Sequence, residues 1–117
     1  MTETQYINKI LKPFLKELGF RKIHKSSERF KSGWPDLTCI SFKSKMGLTT
    51  YIEAKVYPNK LTPIQRNELM EIAQAGAPAY CFTWHPKGKA QHICQIESNG
   101  DETVVEKHLF ERWWKND

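Results

Sequence analysis

Residues Ser32 to Val56 read SGWPDLTCISFKSKMGLTTYIEAKV: a Pro-Asp pair, a strand-like run, a polar turn and a second run that carries Glu-Ala-Lys. Leu37 to Phe42 is β-branched and apolar, the KSKMG segment returns the chain, and a second strand is predicted from Leu48 to Val56. Because side chains alternate along a strand, Leu48, Thr50, Ile52, Ala54 and Val56 share one face, while Thr49, Tyr51, Glu53 and Lys55 share the other. Paired as a hairpin, the two strands bring Asp36, at the start of the first, to the level of Glu53 and Lys55.

Working outward, YPNK breaks the second strand, and LTPIQRNELMEIAQAG reads as a helix with Thr62 at the N-cap, Pro63 at N1, Gln65 at N3 and Gly76 beyond the end. Pro78 to Trp84 and Gln91 to Glu97 are predicted strands joined by HPKGK, and SNGD leads to a last helix around Val104 to Trp114. Upstream, Tyr6, Ile7, Ile10, Leu11, Phe14, Leu15 and Leu18 recur at helical spacing, with Thr2 and Gln5 placed for a capping box. Pro13 removes a backbone donor inside this helix and should kink it or divide it into two short pieces. Phe20 to Lys25 reads as a short strand and KSSERFKSG as a polar, basic loop. The predicted order is αβββαββα, an α/β domain spanning residues 1–117 without repeats or linkers.

Composition narrows the class. At 117 residues the chain supports one core, and no apolar run approaches the roughly 18 residues of a membrane span. The N-terminus lacks the continuous apolar stretch of a signal peptide, which predicts a cytoplasmic setting, bacterial or in a phage-infected host. Cys39, Cys81 and Cys94 are far apart, with no Cys-x-x-Cys pair, and read as reduced core residues. The net charge of +5 is concentrated early: residues 1–60 carry twelve Lys/Arg against five Asp/Glu. That asymmetry suits a face that binds a polyanion, although small basic domains occur for other reasons.

Two carboxylates presented together repel one another and are costly to desolvate unless a positive charge sits between them. Asp36 and Glu53 are therefore candidate metal ligands. Their oxygen donors, with no Cys or His cluster nearby, favour Mg²⁺, with Mn²⁺ as a substitute, over zinc. The Ala54 backbone carbonyl is a further candidate ligand. Lys55, on the same face as Glu53, is placed to hydrogen-bond an attacking water or offset charge on a phosphate. Each feature has a plainer reading: Asp suits the turn before a strand, and Glu-x-Lys on a strand face is often a solvated pair. Their combination, in this order and followed by the capped helix, favours phosphodiester chemistry.

Gly33-Trp34-Pro35-Asp36, Ile52-Glu53-Ala54-Lys55, Leu61-Thr62-Pro63-Ile64-Gln65 and Ala75-Gly76-Ala77 resemble the VRR-NUC branch of the PD-(D/E)xK nuclease superfamily, over roughly Thr2 to Trp84. The resemblance implies a restriction-endonuclease-like core, a mixed β-sheet flanked by helices, and metal-dependent cleavage of nucleic acid. It matches Asp36 and Glu53 to the metal-binding acids, Lys55 to the catalytic lysine, Gln65 to a supporting helix glutamine and Glu3 to an acid on the first helix. Gln65 is also placed to close the Thr62 capping box, and Glu3 to offset the helix dipole. Trp34 departs from the smaller aliphatic residue expected before Pro-Asp and is a candidate for stacking on a base.

Lys22, Lys25, Arg29 and Lys31, read as lying on the loop just before Pro-Asp, are candidate phosphate contacts, with an ordinary solvated loop as the alternative. His24, His85, His92 and His108 show no ligand spacing and receive no role. Leu109, Phe110, Trp113 and Trp114 give the last helix an apolar surface for the core or a partner subunit. The expected function is a Mg²⁺-dependent DNA endonuclease, selective for branched or junction structure rather than sequence, and working as a homodimer where two strands must be cut. A small standalone nuclease also fits a phage or mobile element. The rival readings are a catalytically silent nucleic-acid-binding scaffold of the same fold and an RNA-cleaving nuclease.

Overall fold

Strand β3 (Leu48–Val56) is the axis of the molecule, with one neighbour antiparallel and the other parallel. The structure is a computed structural model that describes residues 1–26, 33–41 and 48–115. Strands β1 (Phe20–Lys25), β2 (Leu37–Ser41), β3, β4 (Ala79–His85), β5 (Ala90–Ile96) and β6 (Glu102–Val105) form a six-stranded sheet in sequence order. Only β3 and β4 pair in parallel. A parallel pair needs a crossover connection, and helix α3 (Pro63–Gln74) supplies it.

The first helix is one continuous run built from α1 (Glu3–Tyr6), a π-helical turn (Ile7–Leu11) and α2 (Lys12–Glu17). The π turn lies just before Pro13, and the Lys12 N–H reaches back to the Ile7 carbonyl. A proline ring in a regular helix would clash with the carbonyl four residues earlier. Widening the preceding turn accommodates Pro13, so the helix changes pitch instead of ending. Tyr6, Ile7, Leu11, Leu15 and Leu18 from this helix join Leu37, Cys39, Ile52, Ala54, Val56, Phe82 and Ile93 in the main core. Phe110 and Trp114 close it from helix α4 (Lys107–Lys115).

On the opposite face α3 packs Leu69 and Ile72 onto Ala79 and Ile96, with Trp34, Tyr51 and Leu61 at the margin. The result is three layers, helices on both sides of a mixed sheet. The capping box of α3 forms as its sequence predicts: the Gln65 N–H donates to Thr62 Oγ1 at 3.2 Å and the Thr62 N–H to Gln65 Oε1 at 3.0 Å.

The predicted order αβββαββα is short by one strand. Residues 102–105 pair with β5, through Cys94 with Val104 and Gln95 with Thr103, and α4 begins only at Lys107. Four mostly exposed residues carry no alternation strong enough to separate them from the helix that follows. Lys22 and Lys25 also lie on strand β1, not on a loop. Phe42, the KSKMG turn, Arg29 and Lys31 lie outside the described residues.

Candidate active site

The site forms where β2 begins. The last register pair between β2 and β3 joins Leu37 to Ile52, so beyond Ile52 strand β3 continues with a neighbour only on its β4 side. The GWPD turn leads into β2 at this point. Gly33 adopts φ +83, and a Cβ there would lie 2.5 Å from the Ile64 side chain and 3.0 Å from its carbonyl oxygen. Only glycine both adopts this backbone and allows the turn to press against the first turn of α3. The Ser26 N–H donates to the Asp36 carbonyl at 2.8 Å, extending the β1–β2 ladder to Asp36 itself.

The Asp36 side chain takes the place of the missing strand. Its Oδ2 accepts the Ala54 backbone N–H at 2.8 Å. Residues of an antiparallel hydrogen-bonded pair exchange both of their bonds, so a strand residue's N–H and C=O point to the same side. The Ala54 carbonyl therefore faces the same gap. The Ala54 methyl is fully buried in the main core.

Glu53 and Lys55 flank Ala54 and, as the alternation predicts, share the face opposite the Ala54 methyl. Glu53 is 3% exposed and Lys55 7%, far drier than a solvated surface pair. The Glu53 carboxyl is pushed up to about 9, chiefly by burial and also by hydrogen bonding to Asp36 and the charges of Asp36 and Glu3, with Lys55 opposing them. Without a cation, Glu53 is thus protonated at neutral pH. Glu3, in the first turn of α1, contributes the smallest of these charges.

Several observations fit a hard divalent cation here. Glu53 Oε2 is buried and makes no hydrogen bond. Burying an unpaired acceptor of this kind costs about 1–3 kcal/mol, which a cation would recover. The donors are two carboxylates and one carbonyl, and Mg²⁺ commonly takes one or two protein carboxylates and keeps waters in its other positions. Among the described residues no cluster of three His, Cys, Asp or Glu side chains forms, so the candidate carboxylates at this point are the pair Asp36 and Glu53.

The remaining sequence candidates fall around this centre. Gln65 Oε1 is engaged in the α3 cap, which places Gln65 behind the GWPD turn through its neighbour Ile64. Trp34 is half-buried, edge-on to Tyr51 with ring centroids 5.8 Å apart. Lys25, exposed, reaches Thr4 Oγ1 at 3.5 Å beside the start of α1, and Lys22 is exposed farther down the edge strand. Cys81 lies beside Glu53 in the β3–β4 register, and burial pushes its thiol up to about 12, leaving it inert. All three cysteines are free.

Sequence reasoning missed a second grouping on this face. Tyr57 stacks on His85, with ring centroids 4.7 Å apart, and His85 stacks on His92 at 3.9 Å. The only sequence signal for it is the crossover register, which sets Tyr57 beside His85 once β3 and β4 are parallel.

No family profile matches the chain, and no characterised protein matches it by sequence. Among solved structures, it is similar to Hjc of Archaeoglobus fulgidus, a Holliday junction resolvase from an archaeal hyperthermophile. The identity is 18% and the TM-score 0.59, over 92% of this chain and 90% of that one. At this identity the likeness is one of fold: a restriction-endonuclease-like α/β core with a mixed sheet. No helix among the described residues is long and apolar enough to cross a membrane.

Proposed function

We propose that this chain is a divalent-cation-dependent DNA endonuclease of the VRR-NUC type that hydrolyses phosphodiester bonds and selects branched structure over base sequence. The observation that carries the proposal is the grouping of half-buried Asp36 with buried Glu53 and Lys55 at the mouth of the β2–β3 gap, with the Ala54 N–H held by Asp36 and one Glu53 oxygen left without a partner.

Asp36, Glu53 and the Ala54 carbonyl would hold Mg²⁺, or Mn²⁺ in its place. When bound, such an ion supplies a polarised phosphate and a water of lowered pKa. The chain's own groups do the remaining work. Asp36 keeps its orientation because one oxygen is fixed on the Ala54 N–H. Lys55, held by its strand on the Glu53 side, donates to the water or to the phosphate oxygens as negative charge accumulates there. The α3 cap, through Thr62 and Gln65, fixes the helix turn against which Gly33 sets the approach to Asp36.

The junction preference rests on the shared fold with a Holliday junction resolvase and on the absence, among the described residues, of an element laid out to read bases in a groove. A symmetric junction requires two sites, and a homodimer provides them. Leu109 and Trp113 are 48% and 59% exposed on α4, which offers apolar surface for such pairing.

The test is cleavage of labelled single-stranded, duplex, flapped and four-way-junction DNA, with an RNA control, in Mg²⁺, Mn²⁺ or EDTA. Metal-dependent cutting of branched DNA that disappears in Asp36→Asn and Lys55→Ala is the expected result. Binding of these substrates without cutting by the wild type, equal in the variants, would identify a silent scaffold. Preferential cutting of the RNA control would move the substrate class.

A further inference from the structure

Strand register places more than the acids and the lysine on the catalytic face. Glu53 pairs with Cys81 and Lys55 with Thr83 across β3 and β4, and the Tyr57 N–H donates to the Trp84 carbonyl at 2.8 Å, which carries the ladder past the end of β3. On the other side of β4, Thr83 pairs with His92 and His85 with Ala90. Directly paired residues share a face and alternate residues repeat it. Tyr57, His85 and His92 therefore continue the face that begins with Glu53 and Lys55.

There the three rings form a row across the sheet. Tyr57 and His85 are inclined by 26° at 4.7 Å, and His85 and His92 by 28° at 3.9 Å. The row contributes nothing to either core cluster. Tyr57 is 57% exposed, and a hollow of 540 Å³ opens among Tyr57, His85, Pro86, Lys87, Gly88 and His92. Imidazoles lying face to face direct their nitrogens along parallel planes, which does not converge two ligands on one metal ion.

An exposed stacked row offers its end ring to another flat group. Two residues of extended chain separate Tyr57 from Lys55, roughly 6.6 Å, so a group on Tyr57 sits within a nucleotide or so of a phosphate at Lys55. Exposed Lys87 and Lys89, on the turn beyond the row, supply positive charge for a phosphate backbone leaving it.

We propose that Tyr57, backed by His85 and His92, is a stacking platform for an unpaired nucleobase next to the phosphodiester being cut. The inference rests on the nuclease reading and deepens it. In duplex DNA the base is stacked already, whereas a branch point or single strand presents it free. Base-on-aromatic stacking tolerates any sequence, as structure selection requires.

The experiment uses flapped DNA carrying 2-aminopurine at successive positions across the branch, in EDTA so that nothing is cut. Fluorescence and binding are read for the wild type, Tyr57→Ala, Tyr57→Phe and His85→Ala. The platform predicts quenching at one or two adjacent positions with the wild type and Tyr57→Phe. It also predicts loss of that quenching and about 5- to 150-fold weaker binding with Tyr57→Ala, and a smaller loss with His85→Ala. Tyr57 is exposed, so its truncation leaves the fold intact, and an unchanged melting temperature confirms this. If Tyr57→Ala quenches and binds as the wild type does while the wild type cuts DNA in Mg²⁺, the platform is wrong and the nuclease reading stands. If the wild type neither binds these probes nor cuts any substrate, both fall.

Discussion

Asp36 Oδ2 accepts the backbone N–H of Ala54 at 2.8 Å, so the carboxylate that the site needs is also the cap on an open stretch of sheet. The two roles separate by substitution. Asp36→Asn keeps an amide oxygen for the Ala54 N–H and removes the charge; Asp36→Ala removes both. Asp36→Asn should therefore hold stability near that of the wild type, while Asp36→Ala loses about 1–3 kcal/mol for the stranded N–H. Both should lose cleavage by about 100-fold or more. Urea melts and a cleavage time course on the three proteins check this, and equal stability of the Ala and Asn variants would remove the capping role.

Glu53 makes stability depend on pH in a direction opposite to that of an ordinary ion-paired carboxylate. Its proton is lost near 4.5 in the unfolded chain and near 9 in the folded protein. Between those values the folded state holds a proton that the unfolded state has released. The contribution is thus fully present below about pH 4.5 and is lost as pH rises through about 9. In EDTA the wild type should lose stability relative to Glu53→Gln from pH 5 to 9, on the order of a few kcal/mol. Millimolar Mg²⁺ should restore stability most at the alkaline end, where the ionised carboxylate is needed. Thermal melts of the two proteins that run parallel across this range would contradict the assignment.

Gly33 gives a prediction remote from the chemistry. A Cβ at this position meets the Ile64 side chain and carbonyl, and φ +83 strains any other residue. Gly33→Ala should cost about 1–3 kcal/mol and also lower cleavage, since the displaced turn carries Asp36. Trimming the partner with Ile64→Ala relieves the side-chain part of the clash and should recover some of the stability, but not the backbone strain. Melting of the single and double variants measures the difference.

The grouping of the candidate site is legible in the sequence because it depends on local rules: a two-residue alternation puts Glu53 and Lys55 on one face, and the helix cap at Thr62 is a four-residue pattern. The same economy explains what stays hidden. Strand β6 exists through its pairing with β5, and the exposed run Glu102–Val105 has little pattern of its own. The Tyr57–His85–His92 row joins residues far apart in the chain, and only the parallel register of β3 with β4 aligns them. Local reading also left open whether Glu53 and Lys55 were solvated. Their burial follows from the layers that pack on both sides of β3.

The cap of α3 separates two roles for Gln65. Its Oε1 accepts the Thr62 N–H, and its own N–H donates to Thr62 Oγ1. Glutamate at N3 closes the same box, so Gln65→Glu should keep stability within about 0.5 kcal/mol, whereas Gln65→Ala and Thr62→Ala should each cost about 1 kcal/mol. If Gln65 supports the site only by fixing the first turn of α3 against Gly33, cleavage by these variants will follow their stability, and Gln65→Glu will cut as the wild type does. A Gln65→Glu protein that melts normally yet cuts tenfold more slowly would instead place the amide nitrogen in contact with the substrate or its water, and a pH profile of that variant would show the added carboxylate titrating in the cleavage rate.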